Sequence, residues 1–230
     1  MALILSIETA TQVCSVAIHK DGACLNILES NQENAHARQL MLSIEQLLKL
    51  ENITSSQLDA IAVSTGPGSY TGLRIGVSVA KGLAFALDKP VIAVDTLQAL
   101  AQRAKPYIAD ENTWIVPMID ARRMEVYTAV LDPNMNLVEE VHPLILEETS
   151  FQQYLEQGEV HFLGDGSSKF QELIQHPNAR FHVEQNSAAS IGVLAYEKFL
   201  RQDFADLAYF EPNYLKEFRV LASKKNPLFL

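Results

Sequence analysis

The residues best suited to chemistry form one glycine-rich loop within residues 64–76, which read STGPGSYTGLRIG. Gly66 and Gly68 can adopt positive φ angles, and Ser69 or Thr71 can cap a helix that begins after them. The free N–H groups at the start of a helix attract anions. The loop is therefore either a phosphate or carboxylate site, or a tight turn that packs a strand closely against a helix.

This loop matches neither common nucleotide-binding signature. The P-loop pattern ends in Lys followed by Ser or Thr, and no such pair is present in the loop. The G-x-G-x-x-G pattern would require glycine at position 71, where Thr71 stands. Considered alone, the loop is weak evidence for a nucleotide site.

The elements around the loop predict two helices with faces suited to close packing. Residues 58–64 are predicted as a strand, while residues 70–87 lack proline and are apolar at helical spacing. The earlier segment 34–50 is amphipathic. Small residues recur at every fourth position of the second helix: Gly72, Gly76, Ala80 and Ala84. These faces predict either an interface with a partner helix or packing inside the same chain.

Length and composition limit the class of protein. The chain has 230 residues, of which 48% are hydrophobic, so it can build one large domain or two lobes. Its net charge is −10 and no run of Lys or Arg exceeds two, which argues against binding nucleic acid unaided. No secretion signal or bilayer-spanning apolar run is apparent, so we expect a cytoplasmic protein. Cys14 and Cys24 lack metal-ligand spacing and are expected to be reduced thiols.

The sequence contains a faint internal duplication. Residues 3–8 (LILSIE) and 115–120 (IVPMID) are each predicted as a strand that ends in an acidic residue, Glu8 or Asp120. A turn, a second strand and later a strand, glycine loop and helix follow in both halves, and the second glycine loop is GDG at 164–166. Two such lobes would face each other across a cleft, although strand–loop–helix units also recur by chance in α/β proteins.

Five segments together resemble one bacterial protein family. They are ILSIETAT near the N-terminus, STGPGSYTGLRIGVSVAKGLA at 64–84, DARRMEVY at 120–127, GDG at 164–166 and PNYLK at 212–216. Nearly end to end, the chain resembles the TsaB (YeaZ) family of tRNA threonylcarbamoyladenosine biosynthesis proteins. The resemblance implies an α/β, two-lobed actin-like ATPase fold (ASKHA, ribonuclease H-like) with duplicated lobes. We expect an N-terminal lobe over 1–105, a C-terminal lobe over 106–230, and a tail that packs back on the first lobe.

The resemblance implies a subunit without catalytic activity of its own. Members of the family are inactive paralogues of the threonylcarbamoyl transferase TsaD, which they bind as a heterodimer scaffold and activator. With TsaE, the pair modifies tRNAs that read ANN codons, and this chain would meet tRNA only through the complex. In the absence of TsaD a homodimer is an alternative. The partner contact would use the first two helices, at His36, Leu40, Met41, Ile44, Leu47, Tyr70, Leu73, Arg74, Gly76, Val77, Ser78 and Lys81.

A second function from another class is an ATP-dependent small-molecule kinase of the same fold. Such enzymes hold Mg²⁺ and phosphates at positions that correspond here to a vestigial nucleotide or phosphate site: Glu8, Thr9, Gly66, Gly68, Ser69, Asp120, Gly164 and Gly166. We expect no cofactor, with weak ATP or ADP binding at the complex junction as the alternative.

The resemblance also provides a test for a metal site. The transferase holds its metal with an H-x-x-x-H pair, whereas here His36 is followed at the second position by Leu40. One imidazole does not make a catalytic iron or zinc site, and the other histidines are isolated in sequence. We therefore expect no bound metal.

Overall fold

A computed structural model describes residues 1–31, 36–108 and 112–215. The strands are β1 Leu3–Glu8, β2 Cys14–Lys20, β3 Ala23–Ser30, β4 Ala60–Ser64, β5 Val91–Val94, β6 Thr113–Asp120, β7 Glu125–Leu131, β8 Leu137–Ile145, β9 Glu159–Leu163 and β10 Ala179–His182. The helices are α1 His36–Leu50, α2 Tyr70–Leu87, α3 Thr96–Ala101, α4 Gln152–Leu155, α5 Ser167–Gln171 and α6 Ala188–Leu200. Among the helices described, none is long and apolar enough to cross a membrane.

The strands form two five-stranded mixed sheets with the same internal order. The first sheet runs β3-β2-β1-β4-β5, and the second, read from its opposite edge, runs β8-β7-β6-β9-β10. In each sheet the central strand pairs antiparallel with the strand that follows it and parallel with the strand after the crossover. The duplication predicted from the sequence is therefore confirmed, and the fold is the two-lobed actin-like α/β fold.

The first sheet is covered on both faces, which explains why β1 and β4 are buried and largely apolar along their length. On β1, Leu5 and Ile7 pack with α1 and α2 in one core cluster. Ile4, which alternates with them, points to the opposite face and packs with Ile191 and Ala195 of α6. The first sheet with α1, α2 and α6 is the first lobe.

The second lobe comprises the second sheet with α3, α4 and α5. One face carries an aromatic core in which the rings of Phe151, Phe162 and Phe170 lie 5.0–5.6 Å apart. The other face packs against α3, which lies between the two sheets and also contributes to the core beside α6. The position of Asp95 directly before Thr96, Leu97 and Gln98 predicts a helix cap. The structure confirms it, because the Asp95 carboxylate accepts hydrogen bonds from the backbone N–H groups of Leu97 and Gln98 at 2.9 Å.

The last part of the chain packs back on the first lobe, and this return already begins at α6. A division near residue 105 assigns α6 to the second lobe, whereas α6 packs on the first sheet. The backbone N–H of Ala188 donates to the hydroxyl of Ser15 on β2 at 3.0 Å, which fixes the start of α6 there. The second sheet already ends at β10, and α6 supplies the apolar cover that the back of the first sheet needs. The helix after the second glycine loop, which the sequence predicts over 167–175, is shorter in the structure, because α5 ends at Gln171.

Candidate functional site

The glycine-rich loop before α2 is filled by the protein's own backbone. The backbone N–H of Ser69 donates to the carbonyl oxygen of Ala10 at 2.6 Å, and a Cβ atom at Gly68 would overlap that same carbonyl. The Ser69 hydroxyl caps α2 by accepting from the N–H of Gly72 at 3.2 Å. Of the two interpretations of this loop, the structure favours the tight turn over an open anion site.

Glu8, at the end of β1, is completely buried beside this turn. Its carboxylate accepts hydrogen bonds from the N–H of Ala10 at 2.6 Å and from the hydroxyl of Ser64 at 2.9 Å, while its second oxygen has no partner. Burial raises the pKa of Glu8 to about 7, because removal from water disfavours the charged form. Thr9 is also buried, and its hydroxyl donates to the carbonyl of Gly72 at 2.8 Å. These two side chains serve the packing of the strand, turn and helix.

A cleft of about 260 Å³ lies between the two lobes. It is lined by Thr11, Gln12, Val13, Asn31, Asp120, Asp165, Gln185 and Asn186. The Asp165 carboxylate accepts from the backbone N–H of Asp120 at 2.9 Å, and burial raises the pKa of Asp165. Lys169 forms an ion pair with the exposed Asp120. Among the described residues that line the cleft, none is a lysine or arginine.

The residues predicted as a vestigial nucleotide site do not come together as a phosphate and Mg²⁺ site. Glu8 is sealed from the cleft, while Ala10 closes the loop at Gly68 and Ser69 and Asn213 closes it at Gly66. In the second lobe, a Cβ atom at Gly164 would overlap the carbonyl of Met118, and one at Gly166 would lie 2.8 Å from Val126. Both glycine loops therefore fit close backbone packing better than a bound nucleotide. Only Asp120 of the predicted set lines the cleft.

The structure describes no group of three His, Cys, Asp or Glu side chains arranged as metal ligands within 1–31, 36–108 and 112–215. Sequence reasoning missed one histidine pair. Nδ1 of His161 lies 2.8 Å from Nε2 of His182, because β9 and β10 are parallel neighbours, and Tyr107 stacks on His182 at 3.9 Å. Burial lowers the pKa of both imidazoles. The two histidines are 21 positions apart in the chain, a separation that carries no spacing signal that could have revealed the pair.

Half of the residues predicted to contact a partner lie instead in the core of the first lobe. The buried residues are Leu40, Ile44, Leu47, Leu73, Gly76 and Val77. Their placement corrects the prediction of an open small-residue face on α2: a Cβ atom at Gly76 would overlap the hydroxyl of Thr9, and one at Gly72 would overlap the carbonyl of the same residue. The small residues let α2 pack directly on β1 and its turn. His36 begins α1, and its side chain lies outside the described residues.

The other predicted contacts with described side chains are exposed or half-buried, and three of them meet the chain's own C-terminal part. Arg74 donates from Nε to the hydroxyl of Tyr214 at 3.2 Å and lies 4.3 Å over the ring of Tyr70. Lys81 donates to the carbonyl of Phe210 at 2.9 Å. The sequence-based preference for Arg74 as a partner contact therefore has a competitor within the chain. Met41 and Ser78 are exposed.

The two helices also expose large apolar side chains that the sequence analysis did not select. Leu42 is 62% exposed, Leu50 is 53% exposed and Phe85 is 81% exposed. Leu42 and Leu50 are eight residues apart and line one shallow groove on α1 with Glu45, Gln46 and Lys49. The signal that could have identified them was the second apolar stripe of α1, on the side away from Leu40, Ile44 and Leu47.

Comparisons with known proteins point to one family. The profile described as TsaD, tRNA N6-adenosine threonylcarbamoyltransferase, matches residues 26–222. The chain is 40% identical over 124 residues to the tRNA threonylcarbamoyladenosine biosynthesis protein TsaB of Haemophilus influenzae, an alignment that covers 54% of this chain and 51% of that protein. The chain therefore spans about half the length of this curated relative.

Two further relatives match over more of their length. The chain is 30% identical over 156 residues to the protein of the same name from Buchnera aphidicola subsp. Acyrthosiphon pisum, with coverage of 67% of this chain and 69% of that protein. The solved structure of YeaZ from Pseudomonas aeruginosa superposes with a TM-score of 0.81 at 31% identity. That superposition covers 94% of this chain and all of the other.

Proposed function

This chain belongs to the TsaB family of tRNA threonylcarbamoyladenosine biosynthesis proteins, and on that premise we propose that it is a non-catalytic subunit of the pathway that modifies tRNAs reading ANN codons. In this proposal it binds the transferase TsaD as a heterodimer scaffold and activates it in the cytoplasm. TsaE is the third component, and tRNA is reached only through the complex.

The observation that carries this proposal is the exposed apolar surface on α1 and α2. Leu42, Leu50 and Phe85 are each more than half exposed. Monomeric proteins rarely leave several large apolar side chains uncovered on neighbouring helices, because burying them against a partner is favourable. Helix faces of this kind are suited to docking against the helices of another protein.

The structure moves the proposed interface away from the face that the sequence indicated. Because Leu73, Gly76 and Val77 are buried in the lobe itself, the contact must use the outer sides of the helices. Met41 and Leu42 on α1 and Phe85 on α2 are the exposed apolar residues that supply it. The charged residues beside them, such as Glu45 and Lys49, would form the rim of such a contact.

The burial of Glu8 and the filling of both glycine loops support a role without catalysis. The kinase alternative needs an accessible carboxylate for Mg²⁺ and free N–H groups for phosphates. No observation favours it: Glu8 is buried, and the start of α2 is closed by Ala10 and by the Ser69 cap. The net charge of −10 supports the proposal that tRNA binding depends on the partners.

The test is size-exclusion chromatography with light scattering of this chain mixed with TsaD from the same organism. We expect a 1:1 complex that Leu42→Glu and Phe85→Glu each weaken by at least about tenfold, since each places a charge in a desolvated contact. The matched control is Leu200→Glu. Leu200 ends α6 on the opposite face of the sheet and is 65% exposed, close to the 62% of Leu42.

Four outcomes would contradict the proposal. The scaffold is excluded if the two folded proteins do not associate, and its location is wrong if Leu200→Glu weakens the complex as much as Leu42→Glu. Calorimetric binding of ATP with Mg²⁺ to the isolated chain, followed by phosphorylation of a small molecule, would instead establish the kinase. Self-association without any TsaD complex would indicate a homodimeric structural protein.

A further inference from the structure

The segment 205–215, here called the strap, returns from α6 to lie across the first lobe. At its start, the backbone N–H of Ala205 donates to the carbonyl of Val91 at the free edge of β5, at 2.9 Å. Near its end, the N–H of Asn213 donates to the carbonyl of Thr65 in the glycine-rich loop at 2.7 Å. The strap is thus held by the main chain at both ends.

Between these ends the strap contacts the outer side of α2. The ring of Tyr214 packs against the ring of Tyr70 with centroids 4.9 Å apart, and its hydroxyl accepts a hydrogen bond from Arg74 at 3.2 Å. Two turns further along α2, Lys81 donates to the carbonyl of Phe210 at 2.9 Å. The two cations on this side of α2 therefore both donate hydrogen bonds to acceptors on the strap.

The glycine-rich loop has a conformation that admits the strap. A Cβ atom at Gly66 would lie 2.6 Å from the carbonyl oxygen of Asn213, well inside van der Waals contact. Gly66 also has a φ of +117°, which side chains other than glycine disfavour. The absence of a side chain at Gly66 lets Asn213 reach the carbonyl of Thr65, so the loop and the strap fit one another.

The strap is nevertheless a shallow attachment. None of its residues is fully buried, and Tyr209 in its middle is 84% exposed. Only Ala205, Leu207 and Phe210 add apolar contacts to the core of the first lobe. A segment with few buried apolar contacts opens at a small fraction of the free energy needed to unfold the whole lobe.

We propose that the strap is a detachable cover over α2, which competes with the partner for Tyr70, Arg74 and Lys81. This inference rests on the proposed function, because it regulates access to the same helices. The strap carries Asp206 and Glu211, so the partner surface that displaces it should present carboxylates together with aromatic or apolar side chains. Opening the strap would extend the contact from the outer apolar side of α1 and α2 to the polar side of α2.

The first arm of the test is hydrogen exchange of the full chain, comparing wild type with Tyr214→Ala and with Tyr209→Ala. Tyr209 is the matched control, since it lies on the same strap but faces solvent. We expect strap amides to exchange at least about tenfold faster in Tyr214→Ala than in the other two proteins, with β1 and β4 unchanged. Detachment is excluded if the wild-type strap exchanges no faster than β4, or if both tyrosine variants behave alike.

The second arm measures the affinity of the same three proteins for TsaD. Removing an internal competitor should lower the dissociation constant of Tyr214→Ala by about threefold or more, while Tyr209→Ala matches wild type. An unchanged or weaker affinity of Tyr214→Ala would overturn the competition, because the strap would then be neutral or part of the interface. If none of the three proteins binds TsaD, the proposed function fails, and the competition fails with it. Detachment of the strap is still decided by the exchange experiment.

Discussion

The two lobes share a sheet order but differ in the helices that cover it. The first lobe carries α1, α2 and α6, of 15, 18 and 13 residues, whereas α4 and α5 of the second have 4 and 5 residues. Both faces of the first sheet are thus buried under long helices. The second sheet fills one face with large aromatic rings instead. The duplicated sheet therefore places the ends of the central strands in equivalent positions, while the covering helices determine whether the residues there are buried or exposed.

The acidic residues that end the two central strands illustrate this. Glu8 ends β1 and is completely buried, with a pKa raised to about 7 by burial. Asp120 ends β6 in the same topological position, but it is exposed and pairs with Lys169. An acidic residue at the end of the central strand therefore serves packing in the first lobe and lines the cleft in the second.

The largest expected effect concerns the aromatic core of the second lobe. Phe170→Ala should lower the free energy of unfolding by about 4 kcal/mol, because a completely buried ring is removed where short helices cannot close the cavity. Denaturant unfolding followed by the fluorescence of Trp114, the single tryptophan, reports on this lobe. The control Phe85→Ala removes an exposed ring and should change little. A loss below about 2 kcal/mol for Phe170→Ala would mean that the second lobe does not depend on its aromatic core.

The next effect concerns α2 in the first lobe. Gly76→Ala should lower the free energy of unfolding by about 3 kcal/mol, because the new Cβ overlaps the hydroxyl of Thr9 and the helix must move away from β1. Gly82→Ala, on the same helix with open space around it, should stabilise by about 1 kcal/mol through helix propensity. Circular dichroism during thermal unfolding distinguishes the two. Equal effects would show that the small residues of α2 are not needed for contact with β1.

The smallest effect is a pH dependence of the free energy of unfolding, which we expect from Glu8 and not from Asp120. Because the folded pKa of Glu8 is about 7, above its ordinary value of 4.5, the folded protein holds this proton more tightly. This stabilisation is fully present below about pH 4.5 and is lost as the pH rises through about 7. Between pH 5 and pH 8 the free energy of unfolding of the wild type should fall by about 2 kcal/mol through the titration of Glu8. Cys14, which lies beside Glu8, stays neutral in this range because burial raises its pKa to about 11.

The measurement compares the free energy of unfolding at pH 5 and pH 8 for wild type and Glu8→Gln. In the variant the change in this free energy from pH 5 to pH 8 should be smaller than in the wild type by about 2 kcal/mol, since the amide does not titrate. The matched change Asp120→Asn removes an exposed ion pair and should change the free energy of unfolding by less than about 1 kcal/mol. An unaltered pH dependence in Glu8→Gln would indicate that water reaches this carboxylate.

Much of the local structure could be predicted from the sequence. Strand β1 and helix α2 have the predicted limits, and Asp95 is the helix cap that its neighbours indicated. These features depend on residues close together in the chain, such as apolar periodicity, capping side chains and glycine turns. The candidate site was less predictable. The spacing of Gly72 and Gly76 identified a face for close approach, but it did not say whether a partner or β1 occupies it.

The local elements could be predicted from periodicity and capping residues, and the resemblance of five segments to one family implied the two-lobed fold. Sequence patterns did not show that α6 returns to the first sheet, that Glu8 is sealed inside or that the strap accepts hydrogen bonds from Arg74 and Lys81. Each of these depends on contacts between residues more than fifty positions apart. A periodic pattern identifies which face of an element is apolar or small, whereas the whole chain must fold before it is known what covers that face.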